Sequence, residues 1–162
     1  MIRLSKKTIL TLLAGLLIIF VTSCMSTKKF EKEEESLIQD YLAKNPDLDF
    51  ELKPSGLYYL DILTGTGPAA ETHDTAYIFY TAKYLNGNTF DTNVGTIDTL
   101  ITPVNEGYLI AGFDEGISYM KEGGKSQLIV PSYLGYGQSG YRFPAYTPIL
   151  FEVDLVKVVQ GP

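Results

Sequence analysis

Two residue types that dominate enzyme chemistry occur once each in this chain of 162 residues, as Cys24 and His73. A lone cysteine closes no internal disulfide and builds no multi-cysteine zinc site, and a lone histidine excludes most imidazole-based metal centres. His73 stands beside Asp74 and reads as a solvated loop residue without a role. No phosphate-cradling glycine loop is present either, so the residues imply neither a metal nor a cofactor. What the chain does hold is aromatic surface: 12 Tyr and 8 Phe with no Trp. Tyr80, Phe113 and Phe151 recur at strand and helix spacings that suit ordinary core. The same rings could equally wall an apolar binding site. Asp91, next to Phe90 after a hairpin, has the position of a turn cap, and Tyr136 between Gly135 and Gly137 that of a loop aromatic. Together these side chains can bind, desolvate and donate hydrogen bonds; they offer no nucleophile.

Charge narrows the partners. A formal net charge of −6 and a pI near 4.7 leave no basic surface for phosphate, so nucleic acid is not an expected ligand.

The elements that would position the aromatic residues begin only after a leader. Arg3, Lys6 and Lys7 precede an apolar run from Thr8 to Val21, and Val21, Thr22, Ser23 and Cys24 follow. That is the layout of an export signal, and the last four residues resemble the lipobox of bacterial lipoproteins, cleaved before an acylated cysteine. The expectation is a signal peptide over 1–23 and a lipid bilayer held through Cys24. An uncleaved anchor is the alternative, but the run falls short of the roughly 17–25 residues a spanning helix needs. Removal of 1–23 would leave 10 basic against 19 acidic residues. Over 24–49 we expect a spacer and a short helix: the acidic residues at 31 and 33–35 suit a helix start, Leu37, Ile38, Tyr41 and Leu42 form a stripe, and Asn45-Pro46 supplies a stop. Such a helix could dimerise the chain, dock a partner, pack on its own domain or act as a spacer.

From Phe50 the apolar period becomes two. Residues 57–62 alternate, Thr75 to Leu85 runs into the hairpin signal Asn86-Gly87, and Thr89, Phe90 and Asp91 return. Residues 92–99 read as a bulged loop. Ile110, Phe113, Ile117 and Met120 space a short helix, Ser126 to Val130 a buried strand, and Ile149 to Val159 a long last strand with Ile149, Phe151, Val153 and Leu155 on one face. The sum is an α+β domain over 50–162: a strongly bent antiparallel sheet of about five to six strands around one short helix.

In this order the segments resemble the FK506-binding-protein class of peptidyl-prolyl cis-trans isomerases. SGLYY at 55–59 and GTG at 65–67 are similar to its opening strand and turn, and Tyr80, Asn86-Gly87 and Phe90-Asp91 to its hairpin. LIAGFDEGISYMKEGGK at 109–125 resembles its helix, PSYLGYG at 131–137 its loop and FPAYTPILFEVDL at 143–155 its finish. The resemblance implies an aromatic pocket for a proline ring. Phe113 would be its floor, where the family usually has Trp, and Tyr80, Phe90 and Phe151 its walls, with Ile110 at the rim. It also implies that the Ile110 N–H bonds a peptide carbonyl, that the Tyr136 hydroxyl bonds the substrate, and that Asp91 orients Tyr80. Phe143 and Tyr141 would belong to a covering loop, and Leu100 and Thr102 stand where relatives often carry aromatics. The implied activity is isomerisation of X–Pro bonds in exported, proline-containing polypeptides of the bacterial envelope, with Asp91, Tyr136 and Tyr80 as catalytic residues.

The chemistry fits such residues. Rotation about a peptide bond meets a barrier of about 18–20 kcal/mol because the nitrogen lone pair is delocalised into the carbonyl. A site accelerates it by holding the twisted amide better than either planar form, and no bond need be made or broken. Two other readings stand beside it: a non-catalytic binding or chaperone module of the same fold, and a structural lipoprotein of an envelope complex with a protein partner. The joint presence of Tyr80, Phe90, Asp91, Ile110, Tyr136 and Phe151 favours catalysis.

Overall fold

The computed structural model describes residues 27–138 and 144–161. Cys24, Tyr141 and Phe143 lie outside them. A helix, α1, runs to residue 44 from the first described position. Seven strands follow: β1 (Glu51–Leu52), β2 (Tyr58–Leu63), β3 (Thr75–Tyr84), β4 (Thr89–Thr92), β5 (Leu100–Pro103), β6 (Gly124–Val130) and β7 (Ile149–Val159). Helix α2 (Ala111–Ser118) precedes β6, and a 3-10 turn (Ser132–Leu134) follows it. All pairings are antiparallel, in the order β1-β2-β6-β7-β3-β4 with β5 also on β3.

Besides the two-residue β1, the strand absent from the sequence reading is β5. It shares one edge of β3 with β4: β4 covers Thr81 to Lys83, and β5 covers Thr75 to Ile78. Four residues, Leu-Ile-Thr-Pro, are too few to display a period, and the proline speaks against a strand interior. Between the two strands the edge of β3 is completed by one side chain. The Asn93 amide accepts the Tyr80 N–H at 2.7 Å and donates to the Ile78 carbonyl at 3.0 Å, so the backbone polar groups at the break stay paired.

Alternation along the strands divides the apolar residues between two faces. Leu128 and Val130 of β6, with Ile149, Phe151, Val153 and Leu155 of β7, join Phe113, Ile117 and Met120 in the main core under α2. Ile129 and Leu150 point the other way and meet Ile38 of α1 and Tyr58. Helix α1 therefore packs on its own domain. Its buried line is Glu34 and Ile38, with Tyr41 and Leu42 partly covered, while Leu37 is 54% exposed. The expected stripe thus rotates by about one position, because a polar residue, Glu34, occupies the inner face.

Two glycines set how closely α2 can lie on the sheet. A Cβ at Gly116 would fall 2.4 Å from Leu128 Cδ1, and one at Gly112 2.7 Å from Val130 Cγ1. Alanine at a helical glycine normally gains roughly 1 kcal/mol, but overpacking a fitted core costs about 1–3 kcal/mol. Gly116→Ala should therefore lower the urea midpoint; an unchanged or raised midpoint would mean that α2 does not lie this close to β6.

Candidate active site

A cavity of about 290 Å³ opens where β3, β4, β5 and the start of α2 converge. Three of its rings come from three different elements. Tyr80 of β3, Phe113 of α2 and Phe151 of β7 meet, with Phe113 and Phe151 centroids 4.6 Å apart and Tyr80 edge-on to Phe113 at 5.9 Å. Strand register brings them together: Ala82 lies opposite both Phe151 and Asp91 across its two neighbouring strands. Its methyl group, two residues beyond Tyr80 on the same face, leaves the space that a larger side chain would fill. Phe113 and Phe151 are buried, so the floor of the cavity is also the edge of the core.

The polar groups are few. The Tyr80 hydroxyl donates to Asp91 Oδ2 at 2.7 Å. Burial, first, and then the hydrogen bond and charge of Asp91 push the phenol up to about 12, so Tyr80 is a neutral donor throughout the ordinary pH range. Ile110 stands at the start of α2 in extended conformation and its carbonyl accepts from Phe113 and Asp114. Its own N–H has no partner among the described residues and belongs to the unpaired donors of a helix start. Tyr136 completes the lining from the segment after the 3-10 turn.

The structure thus gathers Tyr80, Phe90, Asp91, Ile110, Phe113, Tyr136 and Phe151 around one cavity. Phe143 is outside the described residues. Leu100 forms a wall, whereas Thr102 turns into the core at 2% exposure. Ala82, Tyr108 and Leu109 also line the cavity and escaped the sequence reading. Ala82 could have been found from its position two residues after Tyr80; nothing in the sequence marks Tyr108. Also missed was Asp114. Buried in the first turn of α2, its carboxylate accepts the Asn105 N–H at 2.7 Å and the Gly107 N–H at 3.1 Å, which ties the approach to Tyr108 and Ile110 onto the helix. His73 pairs with Glu106 on the surface.

A larger cleft, about 500 Å³, lies between α1 and the 3-10 turn and is lined by Glu31, Glu34 and Glu35 with Tyr58, Tyr133 and Tyr146. It exceeds the aromatic cavity in size. It brings three carboxylates next to its apolar residues, however, whereas the rings that converge with a single carboxylate at the rim belong to the smaller cavity.

Residues 67–156 match the family model described as FKBP-type peptidyl-prolyl cis-trans isomerase. The chain is 36% identical over 107 residues to an FK506-binding protein of Neisseria meningitidis, covering 65% of this chain and 98% of that one. It is also 36% identical over 119 residues to FK506-binding protein 4 of Dictyostelium discoideum, covering 72% of this chain but only 32% of that longer protein. Among solved structures it is similar to FkpA from Escherichia coli, with a TM-score of 0.71 and 25% identity over 99% of this chain and 76% of that one.

The raised phenol of Tyr80 has a consequence in alkali. A group whose folded pKa lies above its unfolded value of 10.0 contributes stability fully below that pH and loses it as pH rises towards about 12. In an ultraviolet tyrosinate titration, the difference between wild type and Tyr80→Phe should place Tyr80 near the upper value, and Asp91→Asn should move it down. A Tyr80 transition at the ordinary tyrosine pH would show that neither burial nor Asp91 acts on it.

Proposed function

The chain belongs to the FKBP-type peptidyl-prolyl cis-trans isomerases, and from that premise we propose that it isomerises X–Pro bonds of exported polypeptides in the cavity floored by Phe113. It is an isomerase by family; the substrate source and the roles of individual residues are our reading. One observation carries it: the Tyr80 hydroxyl is held by Asp91 at the mouth of a cavity whose floor is the packed rings of Phe113 and Phe151.

The proline ring would rest on Phe113 between Tyr80, Phe90 and Phe151, and the peptide carbonyl would accept the Ile110 N–H. An apolar, water-poor surround disfavours the charge-separated resonance form that keeps the amide planar. Donors at fixed positions then favour the rotated carbonyl over the flat one. Tyr136 would bond the substrate from the open side, while Asp91 orients the Tyr80 hydroxyl. The steps involve no proton transfer and no covalent intermediate, so nothing in the chain's own residues ties turnover to a titration near neutrality.

The test is a protease-coupled or NMR exchange assay on an X–Pro peptide, with two variants read together. Phe113→Ala removes the floor and part of the core, a change that typically costs about 3–5 kcal/mol, so the denaturation midpoint and substrate binding should both fall. Asp91 is exposed at the rim, so Asp91→Ala should keep the midpoint and lower kcat/KM on the order of tenfold, the weight of one hydrogen bond at about 1.4 kcal/mol. If Asp91→Ala unfolds as readily as Phe113→Ala, or leaves turnover untouched, the cavity is not the site as drawn.

We further propose that the domain is tethered outside the cytoplasm by acyl chains on Cys24. Each buried methylene contributes about 0.8 kcal/mol, and two or more chains together hold a protein durably at a bilayer. Cells expressing Cys24→Ser should release the domain from the membrane fraction that retains wild type; equal retention of both would refute the tether.

A further inference from the structure

Glu34 differs from the acidic residues around it. Glu31, Glu33 and Glu35 are exposed, but Glu34 is only 5% exposed, and a carboxylate is costly to bury unless its oxygens are paired. Its partners lie 98 residues away: Oε1 accepts the Ser132 backbone N–H and Oε2 the Ser132 hydroxyl at 2.7 Å. One residue of the 3-10 turn is thus gripped twice by α1. The other end of Ser132 is equally occupied, because its carbonyl accepts the N–H of Gly135 at 2.9 Å and of Gly137 at 2.8 Å. Those glycines flank Tyr136, which lines the cavity.

We propose that Glu34 is a positioning residue for the reaction: through Ser132 it fixes the two glycines and so holds the Tyr136 hydroxyl at the cavity. The contact comes from a helix outside the family-matched residues 67–156. The amino-terminal helix thereby sets a part of the site that its own side chains do not touch. The two glycines beside Tyr136 give the anchor its weight. Glycine is the residue least restrained by its own backbone, so contacts from outside the segment, the Ser132 carbonyl and the Tyr146 N–H on the Gly137 carbonyl among them, carry more of the tyrosine's placement. Losing fractions of an ångström at a binding group is enough to lower turnover.

The activity arm of the test rests on the isomerase reading above, and a second arm does not. In the full mature chain, hydrogen exchange of the Gly135 and Gly137 amides is measured by NMR, together with kcat/KM on an X–Pro peptide and the unfolding midpoint. Glu34→Ala, and Glu34→Asp, whose shorter side chain falls short of Ser132, should speed both exchanges and lower kcat/KM about five- to tenfold. Glu34→Gln, which keeps the reach and an acceptor oxygen, should restore most of the loss. In a Tyr136→Phe background, Glu34→Ala should cost nothing more, since the two act as one unit. Ile38→Val, which thins the same helix contact without touching the carboxylate, should lower the midpoint and leave kcat/KM at wild type. Unchanged glycine exchange in Glu34→Ala overturns the proposal, as does a loss that simply adds to that of Tyr136→Phe or that Ile38→Val reproduces. If wild type shows no isomerisation, it is the isomerase reading that fails, and the exchange arm alone decides whether Glu34 positions the turn.

Discussion

The contact between Phe113 and Phe151, with ring centroids 4.6 Å apart, supports both the stability of the domain and the shape of its cavity. One side of this pair faces Ile117, Leu128 and Val153 in the core; the other is the floor of an open depression. The rings can serve both purposes only if α2 lies almost against the sheet, which Gly112 and Gly116 permit. A thicker helix surface would lift Phe113 away from Phe151, loosening the core and flattening the depression at once. Small residues repeat the theme at the wall, where Ala82 rather than a bulky strand residue sits beneath Tyr80 and Phe90. The cavity is therefore made by what is small around it as much as by the rings themselves.

Carboxylates do a second kind of work. Among the described residues, four accept backbone N–H groups in loops or near the ends of elements: Asp74 from Glu71 and Gly161, Asp114 from Asn105 and Gly107, Glu122 from Val158, and Glu34 from Ser132. Hydrogen bonds to charged groups are stronger than neutral ones, and each here pins a loop or a terminus. For Asp74, the Gly161 N–H and then the Glu71 N–H hold the carboxyl below its ordinary range. Its folded pKa is depressed, so its contribution is present above the unfolded value and disappears as pH falls through the folded one. An acidic composition thus serves the internal anchoring of this fold as well as its surface.

The sequence and the structure agree best where the signal is periodic. Alternation along Ile149 to Val159 and the spacing of Ile110, Phe113, Ile117 and Met120 place the last strand and α2 correctly, because burial of one face leaves a regular imprint. Legibility ends where a position is set by a single distant contact. β5 is four residues on an edge of β3 that the side chain of Asn93 completes; Glu34 turns inward where Ser132 lies opposite it, and α1 exposes Leu37. Composition counts such carboxylates as charge, and no local pattern distinguishes a buried one from its exposed neighbours. The rings of the site were visible through family order rather than spacing, and Ala82 and Tyr108 belong to the cavity for reasons that lie in register and loop path.

These anchors converge on the three groups that the proposed reaction uses: the Ile110 N–H, the Tyr136 hydroxyl and the ring of Tyr80. Tyr80 is set by Asp91 at its hydroxyl and by Asn93 at its backbone N–H. The segment leading to Ile110 is tied down by Asp114, and on the inference above Tyr136 is held through Ser132 by Glu34. Each of the three stands on a different element, and each has its own polar anchor. A reaction that makes and breaks no bond depends on such an arrangement. Its acceleration comes only from binding the twisted amide better than the planar one, a difference that survives only if the donors do not follow the substrate as it turns. Anchoring them independently keeps the cavity free of charged groups except Asp91 at its rim, so the apolar surround and the fixed donors act on the same amide without opposing each other.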